Sequence, residues 1–119
     1  MATATADWAT LRPRVTKRLL DEIVQRIVER FQPQKIILFG SYAYGQPHQD
    51  SDIDLFVIMD SDLRPALRCA AVSSACHPGV APMDIIVRTP AEVEQRLAMG
   101  DFFVAEILEK GRVLYERVG

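Results

Sequence analysis

The sequence has few cysteines and no long apolar run. Its only cysteines, Cys69 and Cys76, are seven residues apart, a spacing that would place both on one face of a helix and is poor for a disulfide. No apolar stretch approaches the ~18 residues of a membrane span, and the N-terminus around Trp8 lacks the basic start of a signal peptide. We therefore expect a protein with buried free cysteines and no membrane segment, located in the cytoplasm.

Runs of basic residues are also missing. The 14 Lys and Arg residues are spread along the chain, and the formal net charge is −2. This distribution argues against strong nonspecific binding to nucleic acid, although it leaves an RNA acceptor open. The 119 residues, 49% of them hydrophobic, suffice for one modest core. We expect a single domain over residues 1–119, with residues 1–9 as a flexible N-terminus.

Apolar patterns predict one long helix and four strands. An apolar residue at every fourth position predicts an amphipathic helix from about Thr10 to Phe31. Short runs rich in isoleucine and valine predict buried strands. These strands are Lys35–Phe39, Ile53–Met59, Met83–Val87 and, at the end of the chain, Val113–Tyr115.

Capping signals predict three more helices. They run from Leu63, after a Ser61 cap, to about Cys76; from Pro90, after a capping box of Thr89 and Glu92, to Gly100; and from Phe102 to Lys110. We expect core packing for Phe102 and Phe103, with an exposed patch that they would form with Trp8 and Val104 as the open alternative. For Tyr42 and Tyr44 we expect packing against the neighbouring helix, with stacking on a base as the alternative. The order of elements predicts an α/β fold in which helices pack against one sheet.

A glycine and a serine follow the first predicted strand. At that place Gly40 would let the backbone approach a ligand closely, because glycine has no Cβ. Ser41 would present a hydroxyl and an amide at the start of a helical turn. A helix start of this kind suits a phosphate group.

Three aspartates lie on predicted strands. Asp52 and Asp54 are two residues apart, so the pleat directs both carboxylates to one side of the sheet, where they repel. Asp84 stands in an otherwise apolar run and needs a partner if it is buried. If the two strands are neighbours, the carboxylates converge and can bind two Mg²⁺ ions that bridge the oxygens of a triphosphate.

The whole pattern consists of Gly40-Ser41, a ten-residue gap, Asp52-x-Asp54 and the later strand carboxylate of Asp84. It resembles the signature of the DNA polymerase β-like nucleotidyltransferase superfamily. The short chain, the long first helix and the C-terminal ending resemble its minimal nucleotidyltransferase family in particular. The resemblance implies a single-domain α/β (α+β) fold with a small mixed sheet of about four strands.

The resemblance also implies roles for these residues. Gly40 and Ser41 would hold the phosphates of ATP or another NTP, and Asp52 and Asp54 would ligate both Mg²⁺ ions. Asp84 would bind the catalytic ion and help to deprotonate the acceptor. In members of the family an arginine often stands where this chain has Tyr44, so one phosphate contact is missing or replaced here.

The family resemblance further implies a partner. Minimal nucleotidyltransferases typically pair with a HEPN-type helical protein, often a ribonuclease toxin, which they neutralise by adding AMP to a hydroxyl. We therefore expect an antitoxin of this kind, in a hetero-oligomer or a homo-oligomer. Two alternatives stay open: nucleotidyl transfer to a small molecule such as an aminoglycoside, and a non-catalytic module that neutralises its toxin by contact alone.

Overall fold

The computed structural model describes residues 16–44, 52–76 and 83–118. These ranges contain five helices and four strands in the predicted order. They are α1 (Lys17–Phe31), β1 (Lys35–Phe39), α2 (Ser41–Tyr44), β2 (Ile53–Ile58), α3 (Pro65–Ala75), β3 (Met83–Arg88), α4 (Pro90–Ala98), α5 (Phe102–Lys110) and β4 (Arg112–Glu116). None of the helices in these ranges is long and apolar enough to cross a membrane.

The four strands form one mixed sheet in the order β3-β2-β1-β4. Strand β1 pairs antiparallel with β2 and with β4, whereas β2 and β3 are parallel. Strand β2 is therefore an interior strand, and its side chains from Leu55 to Val57 are fully buried. The predicted fold class, an α/β fold with a small mixed sheet and helices packed on it, is confirmed.

Alternation along β2 gives the sheet two different faces. Ile53, Leu55 and Val57 lie on the back face, in a core cluster with apolar residues of α1 and α3. Phe56 and Ile58 lie on the front face, in a second cluster that includes residues of α4 and α5. By the same alternation Asp54 lies on the front face, two residues before Phe56 and near the N-terminal end of β2.

Two predicted helix starts are wrong. Helix α1 starts at Lys17, because Thr16 is extended and its hydroxyl accepts a hydrogen bond from the Leu19 N–H at 3.1 Å. The earlier part of the apolar ladder lies outside the described residues. Helix α3 starts at Pro65, which suits the first helical position, while the Ser61 hydroxyl only accepts from the Leu63 N–H in a turn.

A buried arginine joins the two sides of the sheet at its β3 edge. The Arg68 guanidinium, on α3, donates two hydrogen bonds to the Glu92 carboxylate on α4, at 2.6 and 2.9 Å. It also donates to the carbonyl oxygens of Leu63 at 3.0 Å and Val87 at 3.2 Å. Glu92 accepts further from the Thr89 N–H at 2.9 Å, completing the predicted capping box. This network fixes α4 against β3.

Removing the Glu92 charge should destabilise the fold. In Glu92→Gln an amide group would face the buried guanidinium and leave its charge without a counterion. We expect a loss of about 2–3 kcal/mol in the free energy of unfolding, measured by urea denaturation at neutral pH. The exposed Glu94 of the same helix provides the matched control, and Glu94→Gln should change stability little. Equal effects of the two variants would contradict the account.

The same ion pair predicts an acid-sensitive component of stability. The hydrogen bonds from Arg68, then the Thr89 N–H and the nearby charges, lower the pKa of Glu92 from 4.5 to about 2. A carboxyl whose pKa is lower in the folded state stabilises above its unfolded pKa and loses that contribution as the pH falls. We expect the stability difference between the wild type and Glu92→Gln to be constant above about pH 4.5 and to shrink toward pH 2. A difference independent of pH would contradict this.

Candidate functional site

The chain turns sharply after β1 and starts a single helical turn. Gly40 has a positive φ of 75°, and its carbonyl oxygen accepts hydrogen bonds from the N–H groups of Ala43 and Tyr44, both at 3.0 Å. Helix α2 thus begins at Ser41, as the sequence predicted for this connection. Residues 45–51, which make up most of the gap before Asp52, lie outside the described residues.

Strand pairing brings two of the three predicted aspartates side by side. Asp54 is the register partner of Phe39 in β1 and of Asp84 in β3. Both carboxylates therefore lie on the front face, in neighbouring strands. Asp52 precedes β2 by one residue and, like Asp84, is exposed to solvent. The aspartates lie at the end of the sheet where β1 ends and β2 and β3 begin, next to the start of α2.

The carboxylates are close enough to affect one another. The pKa of Asp54 is raised from 3.8 to about 6, first by its partial burial and then by the negative charges of Asp84 and Asp52. Burial and the charge of Asp52 also raise the pKa of the Tyr42 hydroxyl. Asp54 therefore occupies a position where a cation would relieve repulsion from two sides.

These residues fit a divalent cation, although they do not form a closed cage. Within residues 16–44, 52–76 and 83–118 no three His, Cys, Asp or Glu side chains are grouped tightly enough to hold a metal ion. The donors are carboxylate oxygens, the ligands that Mg²⁺ prefers. Asp52, Asp54 and Asp84 are thus the residues that could hold such an ion.

The absence of a side chain at Gly40 makes room for the Asp54 carboxylate. A Cβ at this position would overlap one carboxylate oxygen and would lie 3.1 Å from the Asp54 Cγ and 3.3 Å from its Cβ. The glycine thus serves two needs, the left-handed backbone and the close approach of the acid. The connection after β1 and the central aspartate form one packed unit.

The two tyrosines of α2 have different surroundings. Tyr42 packs against the back-face core, as expected, and its buried hydroxyl has no hydrogen-bond partner among the described residues. It lines a cavity of about 610 Å³ together with Lys17, Leu20 and Arg112. Tyr44 was also expected to pack, but its side chain is exposed.

The expected burial of the two phenylalanines of α5 is wrong. Phe102 is 87% exposed and Phe103 is 50% exposed, because the helix buries Val104 and Ile107 instead. The ring of Phe103 meets the ring of Phe39 edge to face, with centroids 5.7 Å apart. Spacing alone could not have indicated this, because Phe103 lies one helical turn before Ile107, as Val104 does. This aromatic pair next to Asp54 was not predicted from the sequence.

Comparison with known proteins identifies the family. The model of the nucleotidyltransferase domain family matches residues 20–115, which include all five predicted site residues. The chain belongs to this family. Its members are nucleotidyltransferases, so the fold described above is that of an enzyme that transfers a nucleotidyl group from an NTP.

Relatives agree with this assignment. A protein of Methanocaldococcus jannaschii, provisionally described as a protein adenylyltransferase, is 29% identical over 83% of this chain and 97% of its own length. A provisionally described nucleotidyltransferase from Sulfolobus solfataricus has a similar structure, with 21% identity, a TM-score of 0.60, and coverage of 84% of this chain and 79% of that one.

Toxin–antitoxin structures are similar as well. A mutant of the MntA–HpeT toxin–antitoxin pair has a TM-score of 0.56 at 20% identity, over 82% of this chain and 72% of that one. A toxin–antitoxin structure with AMP-PNP has a TM-score of 0.53 at 22% identity, over 82% and 73% of the two chains. At these identities the likeness shows a shared fold.

Two glycines allow a matched test of the site's geometry. Gly40 and Gly100 both have positive φ, but a Cβ would meet Asp54 only at Gly40 and would meet nothing within 4 Å at Gly100. We expect each alanine variant to lose about 1–2 kcal/mol of stability from its left-handed backbone. Only Gly40→Ala should also displace the Asp54 carboxylate, seen as a changed ¹³C carboxyl signal. An unchanged Asp54 signal in Gly40→Ala would contradict the packing described.

Proposed function

We propose that this protein is a Mg²⁺-dependent nucleotidyltransferase that moves AMP from ATP to a hydroxyl of a partner protein. The observation that carries the proposal is the register of Asp54 with Asp84, beside the turn at Gly40 and Ser41. We further propose that the chain acts as one domain, in the cytoplasm. The M. jannaschii relative, described as a protein adenylyltransferase, supports a protein as the acceptor.

The residues of the site would bind the phosphates of the nucleotide and the metal ions. The Gly40 backbone and the amide and hydroxyl of Ser41 would bind the β- and γ-phosphates. Asp52 and Asp54 would hold two Mg²⁺ ions, and Asp84 would share one of them. When bound, Mg²⁺ would neutralise the charge that develops on the phosphate oxygens.

The transfer itself follows from these positions. A hydroxyl oxygen of the acceptor attacks the α-phosphorus in line, and a new O–P bond forms as the bond to the bridging oxygen of the β-phosphate breaks. Pyrophosphate leaves on the side of Gly40 and Ser41. The proton of the hydroxyl passes to the Asp84 carboxylate, which is exposed and therefore accessible to an acceptor.

We propose a HEPN-type helical toxin as the acceptor, with this protein as its antitoxin. Two toxin–antitoxin structures of the same fold support this choice, and the one with AMP-PNP supports ATP as the nucleotide. The exposure of Asp52 and Asp84 also suits a large acceptor. A second surface is needed over these residues to exclude water during the transfer.

Asp54→Asn should separate catalysis from folding. The amide has nearly the same shape but lacks the charge, so we expect transfer of label from α-labelled ATP to the co-purified partner to fall at least about 100-fold. Stability should stay the same or rise, because one of three repelling charges is gone. The control is Asp60→Asn, an exposed aspartate beyond the opposite end of β2, which should transfer normally. Normal labelling by Asp54→Asn would refute the proposed role.

A second candidate is an antitoxin that works by contact alone. The exposed Tyr44 favours it, since an arginine that could bind phosphate is absent from that position. Neutralisation of the toxin in cells by the double variant Asp52→Ala, Asp54→Ala would support this candidate. Failure of a folded double variant to neutralise, together with loss of labelling, would exclude it.

A further inference from the structure

The sheet order assigns different sides of the site to nucleotide and acceptor. In the order β3-β2-β1-β4, Asp54 is central, the start of α2 follows β1, and Asp84 lies on β3. If the phosphates bind at Gly40 and Ser41, as proposed above, the leaving pyrophosphate lies on the β1 side. An in-line attack then requires the acceptor on the β3 side. The nucleoside is joined to the α-phosphorus through an equatorial oxygen, so it projects to one side of this line, where groups on the front face can hold it.

An aromatic ring lies next to that side. Phe39 ends β1 and is the register partner of Asp54, so the two side chains are neighbours on the front face. The Phe103 ring covers Phe39 at a centroid distance of 5.7 Å with an angle of 86° between the ring planes. Phe103 thus contacts the ring that neighbours Asp54, and Phe103 itself is 50% exposed.

The Phe103 ring is held in a defined orientation. Its backbone N–H donates to the Asp101 carboxylate at 3.0 Å, at the capped start of α5. The helix is fixed to the front-face core by Val104 and Ile107. The edge-to-face contact with Phe39 orients the ring. An exposed ring supported by Phe39, beside the turn at Gly40 and Ser41, is suited to stacking on a flat ligand.

We infer that Phe103 is a stacking platform for the nucleobase of the bound NTP. The inference depends on the proposed function, because that function puts the triphosphate at Gly40 and Ser41. A phenyl face attracts any base, and stacking contributes an affinity of about 10- to 100-fold per base. Larger purine rings overlap more of the platform than pyrimidines, so the ring favours ATP and GTP over CTP and UTP.

Inorganic tripolyphosphate provides the probe that separates base from phosphate binding. We would measure the Kd of Mg·ATP and of Mg·tripolyphosphate by calorimetry for the wild type, Phe103→Leu, Phe103→Trp and Phe102→Leu. Phe103→Leu keeps an apolar contact with Phe39 but removes the aromatic face. Phe102, which is 87% exposed, receives the same change as the control.

The inference predicts a specific pattern of affinities. Phe103→Leu should bind ATP about 10-fold or more weakly and tripolyphosphate as the wild type does, whereas Phe103→Trp should retain ATP binding. Phe102→Leu should bind both ligands normally. Equal ATP affinity in Phe103→Leu and the wild type would overturn the platform, and a raised KM for the acceptor protein in that variant would assign the ring to the acceptor instead.

A failure of the proposed function would give a different pattern of affinities. If the wild type bound neither ATP nor tripolyphosphate in the presence of Mg²⁺, the phosphate site itself would be wrong, and the platform would be rejected with it. If the wild type bound both ligands and only the effect of Phe103→Leu were missing, the proposed function would stand and the platform alone would be rejected.

Discussion

The pairing of β2 with a strand on each side is the constraint on which the site depends. The antiparallel register with β1 brings Asp54 next to Phe39 and the turn at Gly40, and the parallel register with β3 brings it next to Asp84. A shift of one residue would send Asp54 to the back face and into the apolar core. The buried side chains of β2 make such a shift costly, so core packing also fixes the position of the carboxylates.

The same pairing makes the site unfavourable for the empty protein. Asp54 is partly removed from water and lies between two other negative charges, which raises its pKa to about 6. Nothing in the packing of the described residues requires three acids at this end of the sheet, because neither core cluster includes them. The repulsion is understandable if the three aspartates bind cations, since carboxylates that repel one another then act together as ligands.

Much of this could be predicted from local sequence, and the rest depends on contacts between distant residues. Periodicity and caps predicted the elements, and the period of two predicted that Asp52 and Asp54 share a side. Whether Asp84 joins them depends on strand order, which the sequence could state only as a condition. The Arg68–Glu92 pair, 24 residues apart, left no local signal. The exposure of Phe103 was not predicted because Phe103 and the buried Ile107 are one helical turn apart, and the face that the helix buries depends on how it packs on the sheet.

Among the described residues, the helices of the front face cover the middle of the sheet and leave Asp52 and Asp84 exposed. Helices α4 and α5 have nine residues each, about 13 Å of length. They cover Phe56 and Ile58, and α5 reaches Phe39 through the side chain of Phe103. Asp54 and Asp84, which precede the covered positions on β2 and β3, are half-buried and exposed, respectively. Nucleotidyl transfer benefits from the exclusion of water, so in the function proposed above the acceptor would have to cover Asp52 and Asp84 as it binds.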